Sequence, residues 1–542
     1  MGYTKAEKLG VTDMLSYFVI VPILTAVFLY VFSTVKAARV VAISAQAVLT
    51  GFAAYLFYLC KEGDIVTKIG DFEGVLGISL RADTLSSVFV VLTTFIFLIA
   101  SVYSLNDKND KLFWLLLFIW EGLLIGVFLT RDLFNVFVLF EVATVAIGIL
   151  IMFNRDSRSM YDGMFYLMVN IVVMQFYLFG VGYVYKLTGV LDMDAAARTL
   201  SELDRSSLVL PYALIMTAVG LKCALVPLFS WLPRAHGTPG APSAVSALLS
   251  GLHIKGGIYL FMRFQPIFQG VNVSDFFLII GIITGVIGFI FAISQTDIKL
   301  IPAYSTISQV GMIIVALNID DIYSYTGGLY HVINHAFFKS ALFFISGIIA
   351  QVYGTRNINE IRGVFKRFPI VGAATIIAVL GITGAPLLNG SISKYFIMYD
   401  TNWQITSAMI FINLGTIITF IKFSTILFGK CKFEHGSTKI EKSKQLAVLI
   451  PGAFCFVGGI FGSAIIEFLF NIKLDLDAAG YLEKTAIFAA SGVAGFFIFR
   501  HFVDKSALFS RIREINLGFR GMCVSVGGFF ALMIIAAGLS AA

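Results

Sequence analysis

Runs of about twenty apolar residues, the length of helix that crosses a hydrocarbon core, recur from one end of the chain to the other with short polar connections between them. The pattern predicts about sixteen spans, near 15–35, 38–60, 85–104, 112–130, 133–153, 164–187, 209–229, 242–265, 275–294, 299–317, 322–349, 369–399, 405–428, 443–470, 482–503 and 522–541. The longest connections, 61–84 and 186–208, have room only for a short hairpin or helix. The fold class that follows is an all-α polytopic membrane protein with about 14–16 transmembrane helices. The opening MGYTKAEKLGVTDML has neither a basic n-region nor a small-residue cleavage site. No removable signal peptide is expected, and insertion rests on the first span.

Composition narrows the function classes. Of the 542 residues 58% are hydrophobic and 13% charged, about half the charge of a soluble domain. Five scattered cysteines (Cys60, Cys223, Cys431, Cys455, Cys523) form no CxxC or Cys/His cluster, which argues against iron–sulfur, zinc or disulfide-framework roles. No GxGxxG unit follows a strand and no Walker A sequence is present. No cofactor, no metal and no catalytic residues are therefore expected. Lys and Arg concentrate in connections after odd-numbered spans: Lys36/Arg39, Lys108/Lys111, Arg155/Arg158, and the stretches 356–368, 429–444 and 504–520. The opposite loops are richer in acid, including Asp64, Asp71, Glu73, Asp192, Asp194, Asp320 and Asp321. The positive-inside rule then puts the basic set in the cytoplasm and both termini on the outer face. The net charge of +7 is mostly this asymmetry, and no nucleic-acid partner is expected.

A charge at the bilayer centre costs roughly 2.5–3.5 kcal/mol on insertion scales, so mid-span ionisable residues are candidates for function. They are Glu141, Lys222, Lys255, His331, His335, Lys339 and Lys394. Lys422 and Arg263 lie close enough to span ends to snorkel. Glu141 and Lys222 are expected to pair, within direct or one-water reach; the plain reading of Glu141 is a structural ion pair. It leaves Lys255 and Lys394 unexplained, because neither has an acid in its own span. His331, His335 and Lys339 follow an i, i+4, i+8 spacing that puts all three on one helix face, where with Asn334 they form a relay or a buried structural network. A metal at the two histidines lacks an accompanying carboxylate or cysteine.

Two spans are broken. "LKCALVPLFSWLPRAHGTPGAP" carries Pro227, Pro233, Pro239 and Pro242 after Lys222, and "GITGAPLLNGSISK" carries Pro386 ahead of Lys394. Irregular backbone at membrane depth survives only inside protein or along a wet cavity. Paired Gly/Pro interruptions in corresponding halves point to inverted repeats. The lysines agree, since one precedes its proline and the other follows it.

The stretch "LKCALVPLFSWLPRAHGTPGAPSAVSALLSGLHIKGGIYLFMR" resembles the central signature of the antiporter-like subunits of respiratory complex I, Mrp-type multisubunit cation/proton antiporters and membrane-bound hydrogenases. The likeness continues through "GISLRADTLSSVFVVL", "RDLFNVFVLFEV", "QTDIKLIPAYSTISQVGMI", "HVINHAFFKSALFFISG" and "GAPLLNGSISK", in order, over roughly residues 75–430. The wording is nearest to Mrp D-type and complex I N/M-type members. The resemblance implies a division into N-terminal helices (1–110), an antiporter-like core (111–430) and C-terminal helices (431–542). The core would hold inverted five-helix units, spans 4–8 and 9–13. It implies a midplane polar axis of Glu141, Lys222, Lys255 and Lys394, with His335 and Lys339 joining the halves and Glu141 tuning Lys222. The implied function is that of a proton- or sodium-translocating membrane subunit of a multisubunit redox-driven pump or cation/proton antiporter. Its expected partners are other membrane subunits, H⁺ and/or Na⁺, and the lipid of a prokaryotic-type cytoplasmic membrane. The alternative is a free-standing secondary transporter for a small substrate. Fourteen spans are usual in the family; this chain adds two after residue 480, and its 504–521 connection is too short for the long lateral helix of the family's longest members.

Overall fold

A computed structural model describes residues 14–32, 36–69, 77–107, 110–237, 240–430, 439–503 and 506–542. Fourteen of its helices are long and apolar enough to cross a membrane, and two broken helices supply the remaining crossings. The first three crossings are α1 (Met14–Phe32), α2 (Lys36–Cys60) and α3 (Thr84–Ser104). Next come α4 (Lys111–Leu129), α5 (Leu133–Ile151) and α6 (Ser157–Thr188). A short surface helix, α7 (Met193–Leu200), leads into the first broken helix, α8 (Arg205–Lys222) and α9 (Trp231–Gly237). Then follow α10 (Ser243–Phe268), α11 (Ser274–Ser294), α12 (Leu300–Leu317) and α13 (Ile322–Tyr353). The second broken helix is α14 (Pro369–Thr383) and α15 (Asn389–Ile397). The chain closes with α16 (Trp403–Ser424), α17 (Lys442–Ile460), α18 (Gly462–Phe470), α19 (Ala478–Val503), the surface helix α20 (Ala507–Glu514) and α21 (Phe519–Ala541). The connection at 61–84 holds an antiparallel hairpin, β1 (Ile65–Ile69) and β2 (Ile78–Ala82), in register from Ile65 opposite Ala82 to Ile69 opposite Ile78.

The inverted repeat is visible in backbone hydrogen bonds. In the first half Leu133 N–H donates to Leu191 O (2.9 Å) and Met193 N–H to Arg131 O (2.8 Å). In the second half Ile298 N–H donates to Arg356 O (2.8 Å) and Ile358 N–H to Thr296 O (2.9 Å). Every residue number rises by 165 between these two latches, from Leu133 to Ile298 and from Arg131 to Thr296. The same offset carries α6 onto α13: both have 32 residues, Asp156 and Asp321 cap their first turns, and Gly189 and Gly354 end them in the left-handed conformation. The latches follow spans four and nine, an odd number of crossings apart, so they close opposite faces of the membrane.

Charged pairs lock the latches. Arg131 and Arg81 both hold Asp194, at 2.6 and 2.9 Å, and Arg356 holds Asp297 at 2.8 Å. Burial alone raises the Asp194 carboxyl, but the Arg131 and Arg81 guanidiniums outweigh it and hold the group below its ordinary value. Arg263, instead of snorkelling, pairs at 2.6 Å with Asp83, the residue that caps α3. Helices α10 and α13 are buried along their length and form the spine between the halves. Almost every functional candidate sits on or against that spine.

Candidate translocation axis

Both lysines at the breaks meet the C-terminal end of a half-helix. Lys222 is the last residue of α8. Lys394 lies on α15 and reaches back to α14, donating to Ile382 O at 2.6 Å. The C-terminal carbonyls of a helix carry partial negative charge, so an ammonium is favoured at either place. Prolines and glycines make the ends available. Pro227 lies in the 223–230 break, Pro233 in the first turn of α9, Pro242 immediately before α10, and Pro386 in the 384–388 break; Pro239 lies outside the described residues. Gly384 ends α14 at φ +82°, and a Cβ there would stand 3.0 Å from Lys394 Cδ. The Trp231 indole N–H donates to Leu221 O at 2.9 Å and satisfies a carbonyl that the first break exposes.

Neutral polar groups hold the ammonium ions. Lys222 Nζ donates to Asn170 Oδ1 (2.9 Å) and Thr144 Oγ1 (3.2 Å) and lies 4.9 Å from the centre of the Phe140 ring. The expected pair with Glu141 is not a direct ion pair. Thr144, one turn further along α5, makes the contact from that helix, while Glu141 is half-buried with its Oε1 enclosed and without a hydrogen-bond partner among the described residues. Lys394 Nζ donates to Asn413 Oδ1 at 2.6 Å as well as to Ile382 O.

The spine joins the two lysine sites. A π turn at Leu249–His253 widens α10 just before Lys255, whose Nζ donates to Ser250 O at 2.7 Å and touches His335 Nδ1 of α13. From Ser250 a second branch runs to Thr306 (2.7 Å between hydroxyls), on to Pro302 O (2.9 Å), and from there to Lys339 Nζ (2.8 Å), which also bonds Ser305. One turn before His335, His331 contacts Ser393 Oγ through Nδ1 (2.8 Å) and Gln309 Oε1 through Nε2 (3.1 Å). Ser393 is the neighbour of Lys394. The face of α13 thus touches three different elements: α15 and α12 through His331, α10 through His335, α12 through Lys339. Asn334 turns elsewhere, donating to Asn389 O at 3.0 Å.

Lys222 and Lys255 have no direct contact; the Phe140 ring that carries Lys222 also meets the edge of His253, 5.9 Å away. Neither His253 nitrogen, nor His335 Nε2, has a partner among the described residues. Buried polar atoms of this kind are ordinarily satisfied by water. The arrangement is suited to passing a proton between neighbouring donors and acceptors, because its direct contacts fall within transfer reach. Among the buried polar residues that the sequence reading passes over are Gln46, Glu121 and His253. Gln46 Nε2 donates to the Glu121 carboxylate and, at 3.1 Å, to Thr94 O. His253 and Glu121 sit mid-span, so the test that found Glu141 also applies to them. Lys422 donates to Ile293 O at 2.7 Å.

Residues 130–421 match the family described as NADH:quinone oxidoreductase/Mrp antiporter, TM. The D-type subunit of the Na(+)/H(+) antiporter of Alkalihalophilus pseudofirmus is 29% identical over 466 residues, covering 81% of this chain and 94% of its own. The N-type subunit of the NADH-quinone oxidoreductase of Desulforudis audaxviator is 30% identical, covering 72% and 83%. The fold is shared with a chain of the Mrp complex from Dietzia sp. DQ12-45-1b (TM-score 0.78, 21% identity, 93% of this chain and 99% of that one). It is shared equally with a chain of the archaeal membrane-bound sulfane sulfur reductase (TM-score 0.78, 22% identity, 89% and 99%). With its inverted repeats, broken helices and family match over 130–421, the chain belongs to the NADH:quinone oxidoreductase/Mrp antiporter family of membrane subunits.

Proposed function

We propose that this chain is the ion-translocating subunit of a multisubunit Mrp-type or complex I-like assembly, and that protons move along the row Lys222, Lys255, His335, His331 and Lys394. The single observation that supports it most is the direct Lys255–His335 contact across the spine, which ties the two halves at a titratable pair. Lys222 loads from Glu141 through movement of either side chain, since nothing but Thr144 and Asn170 holds the ammonium in its present place. A proton on Lys255 passes to His335 Nδ1. It then leaves by water from His335 Nε2, which has no partner among the described residues, to His331 one turn away, whose Nδ1 contacts Ser393, the residue before Lys394. Lys339 lies on the side branch through Pro302 and sets the charge beside His335. The Lys/Arg distribution of the loops supports an orientation with both termini on the outer face, and in that frame the row is read as loading from the cytoplasmic side and releasing on the outer one.

The experiment is a set of single substitutions in the intact assembly, Lys222→Ala, Lys255→Ala and Lys394→Ala, with assembly, proton movement and sodium movement measured side by side. Removing a buried charge also removes a desolvation penalty, so assembly is expected to persist while ion movement is lost. Normal ion movement in Lys255→Ala overturns the relay. Ion-dependent solute uptake by the chain reconstituted alone would instead mark a free-standing transporter.

A further inference from the structure

The two crossings beyond the usual fourteen do not stand apart from the axis. α19 packs against α16, the helix that supplies Asn413 to Lys394, and α21 packs on α8, with Phe529 against Gly220 two residues before Lys222. Between them α20 is tied across the molecule: Arg513 donates to Ser294 O at 2.9 Å, and Arg234 of α9 donates to Asn516 Oδ1 at 2.6 Å.

α19 is unusual in its side chains. Most of its surface is apolar and open, with Leu482 66% and Val493 61% exposed. One stripe is not: Tyr481, Lys484, Thr485 and Ser491 follow helical spacing, and all four line a cavity of about 40 Å³ whose wall also includes Lys394, Asn413, Ser391 and Gly384. That volume has room for roughly two or three waters. Tyr481 anchors the stripe, its hydroxyl 2.9 Å from Ser391 Oγ and accepting from Leu387 N–H at 3.3 Å. The Lys484 ammonium and the hydroxyls of Tyr481, Thr485 and Ser491 are unfavourable against lipid, and the one other charge of these first turns, Glu483, lies on the exposed side. They are accommodated where the helix borders water.

We propose that α19 completes the outlet of Lys394: its polar stripe, Tyr481, Lys484, Thr485 and Ser491, walls a hydrated crevice through which the ion released at Lys394 leaves the protein. This rests on the reading of Lys394 as a translocating residue. The direction follows from crossing parity. The connections after spans twelve and fourteen lie on one face, and Tyr481 and Lys484 sit in the first two turns of α19, next to the latter connection. The crevice runs from the second break to that face. Thr485 and Ser491 place hydroxyls along it, and Lys484 brings a cation that keeps its mouth wet.

The test uses the intact assembly in membrane vesicles, in a background with both Cys431→Ser and Cys523→Ser, the remaining cysteines being buried. Thr485→Cys, Ser491→Cys and Val493→Cys are each exposed to a small, membrane-impermeant cationic thiol reagent applied from either face. Thr485→Cys and Ser491→Cys are expected to react from the face of the 471–477 connection, with ion movement falling at least tenfold on modification. Val493→Cys, on the lipid side of the same helix, is expected to be inert. Equal inertness of all three, or modification of Thr485→Cys and Ser491→Cys without loss of ion movement, overturns the outlet. Tyr481→Phe gives a second readout that leaves packing in place: slower ion movement with normal assembly supports the outlet, and parental rates count against it. Lys394→Ala separates the two levels. If it abolishes ion movement while the α19 cysteines stay inert, only the outlet fails; if it leaves ion movement intact, the axis itself fails.

Discussion

Two neighbouring glycines on α10 are expected to respond to the same substitution in opposite ways. A Cβ at Gly257 would lie 2.7 Å from Lys222 C and 2.9 Å from both Lys222 O and Cys223 N. All three are backbone atoms at the end of α8, which no rotamer change can move. Ordinary contact begins at 3.4 Å, so α10 and α8 would have to part by about 0.7 Å. Overpacking of this kind costs about 1–3 kcal/mol, of which alanine's helix propensity returns about 1 kcal/mol. The larger effect falls on function. Lys255 moves with α10, and a shift of that size takes hydrogen bonds near 2.7 Å to the edge of their range. A misplacement approaching 1 Å reduces rates by up to about 100-fold. At Gly256, by contrast, a Cβ would meet Phe140 Cζ at 3.1 Å and Leu124 Cδ1 at 3.3 Å, both side-chain ends that can yield by a few tenths of an ångström. Gly256→Ala is expected to keep thermal stability within about 1 kcal/mol of the parent, and ion movement nearly unchanged. The assay is ion movement in vesicles together with thermal unfolding of the solubilised assembly. Parental transport in Gly257→Ala, or equal failure of both variants, refutes the claim that the α8–α10 contact positions the axis.

Ser393→Ala removes the hydroxyl that contacts His331 Nδ1 beside Lys394 in the chain and is expected to slow ion movement several-fold in vesicles with assembly intact. Trp231→Phe removes one donor to Leu221 O and leaves Ala224 N–H at 2.8 Å, so melting curves should show a loss of about 1 kcal/mol, the net worth of one hydrogen bond. Asp194→Asn weakens the first latch. Because the folded carboxyl sits below its ordinary 3.8, its stabilisation is present above that value and lost as the pH falls through the lower folded one. The difference in melting temperature between parent and variant should therefore vanish in strong acid and persist at neutrality.

The breaks and the lysines were legible in the chain for the same reason: prolines, glycines and ammonium groups are expensive in a membrane helix, so each stands out from an apolar background. Their partners were not. Thr144, Asn170, Gln309, Ser393 and Asn413 are neutral residues that membrane helices carry freely, and only three-dimensional proximity marks them. Glu141 stands out as a mid-span acid, yet the Lys222 ammonium rests on Asn170 and on Thr144, one helical turn from Glu141. Helix starts were misjudged where capping outweighs hydropathy. α6 begins at Ser157, seven residues before the apolar run at 164, because Asp156 accepts from Arg158 and Ser159 N–H groups. The π turn before Lys255 has no residue signature at all. The small hairpin was expected only as one of two possibilities for 61–84.

The 165-residue offset between the latches has a consequence for how the two halves differ. A backbone that reads the same from both sides of the membrane leaves the distinction between its halves to the side chains at matched positions. Applying the offset, Glu141 falls on Thr306, Thr144 on Gln309 and Asn170 on His335. The first half offers an acid, a hydroxyl and an amide that detain a neighbouring ammonium. The second offers a hydroxyl, an amide and an imidazole already in contact with Lys255. The duplicated scaffold thus keeps one backbone in both halves while three matched pairs of side chains give them different chemistry: one half rests an ammonium on a hydroxyl and an amide, the other sets an imidazole against Lys255.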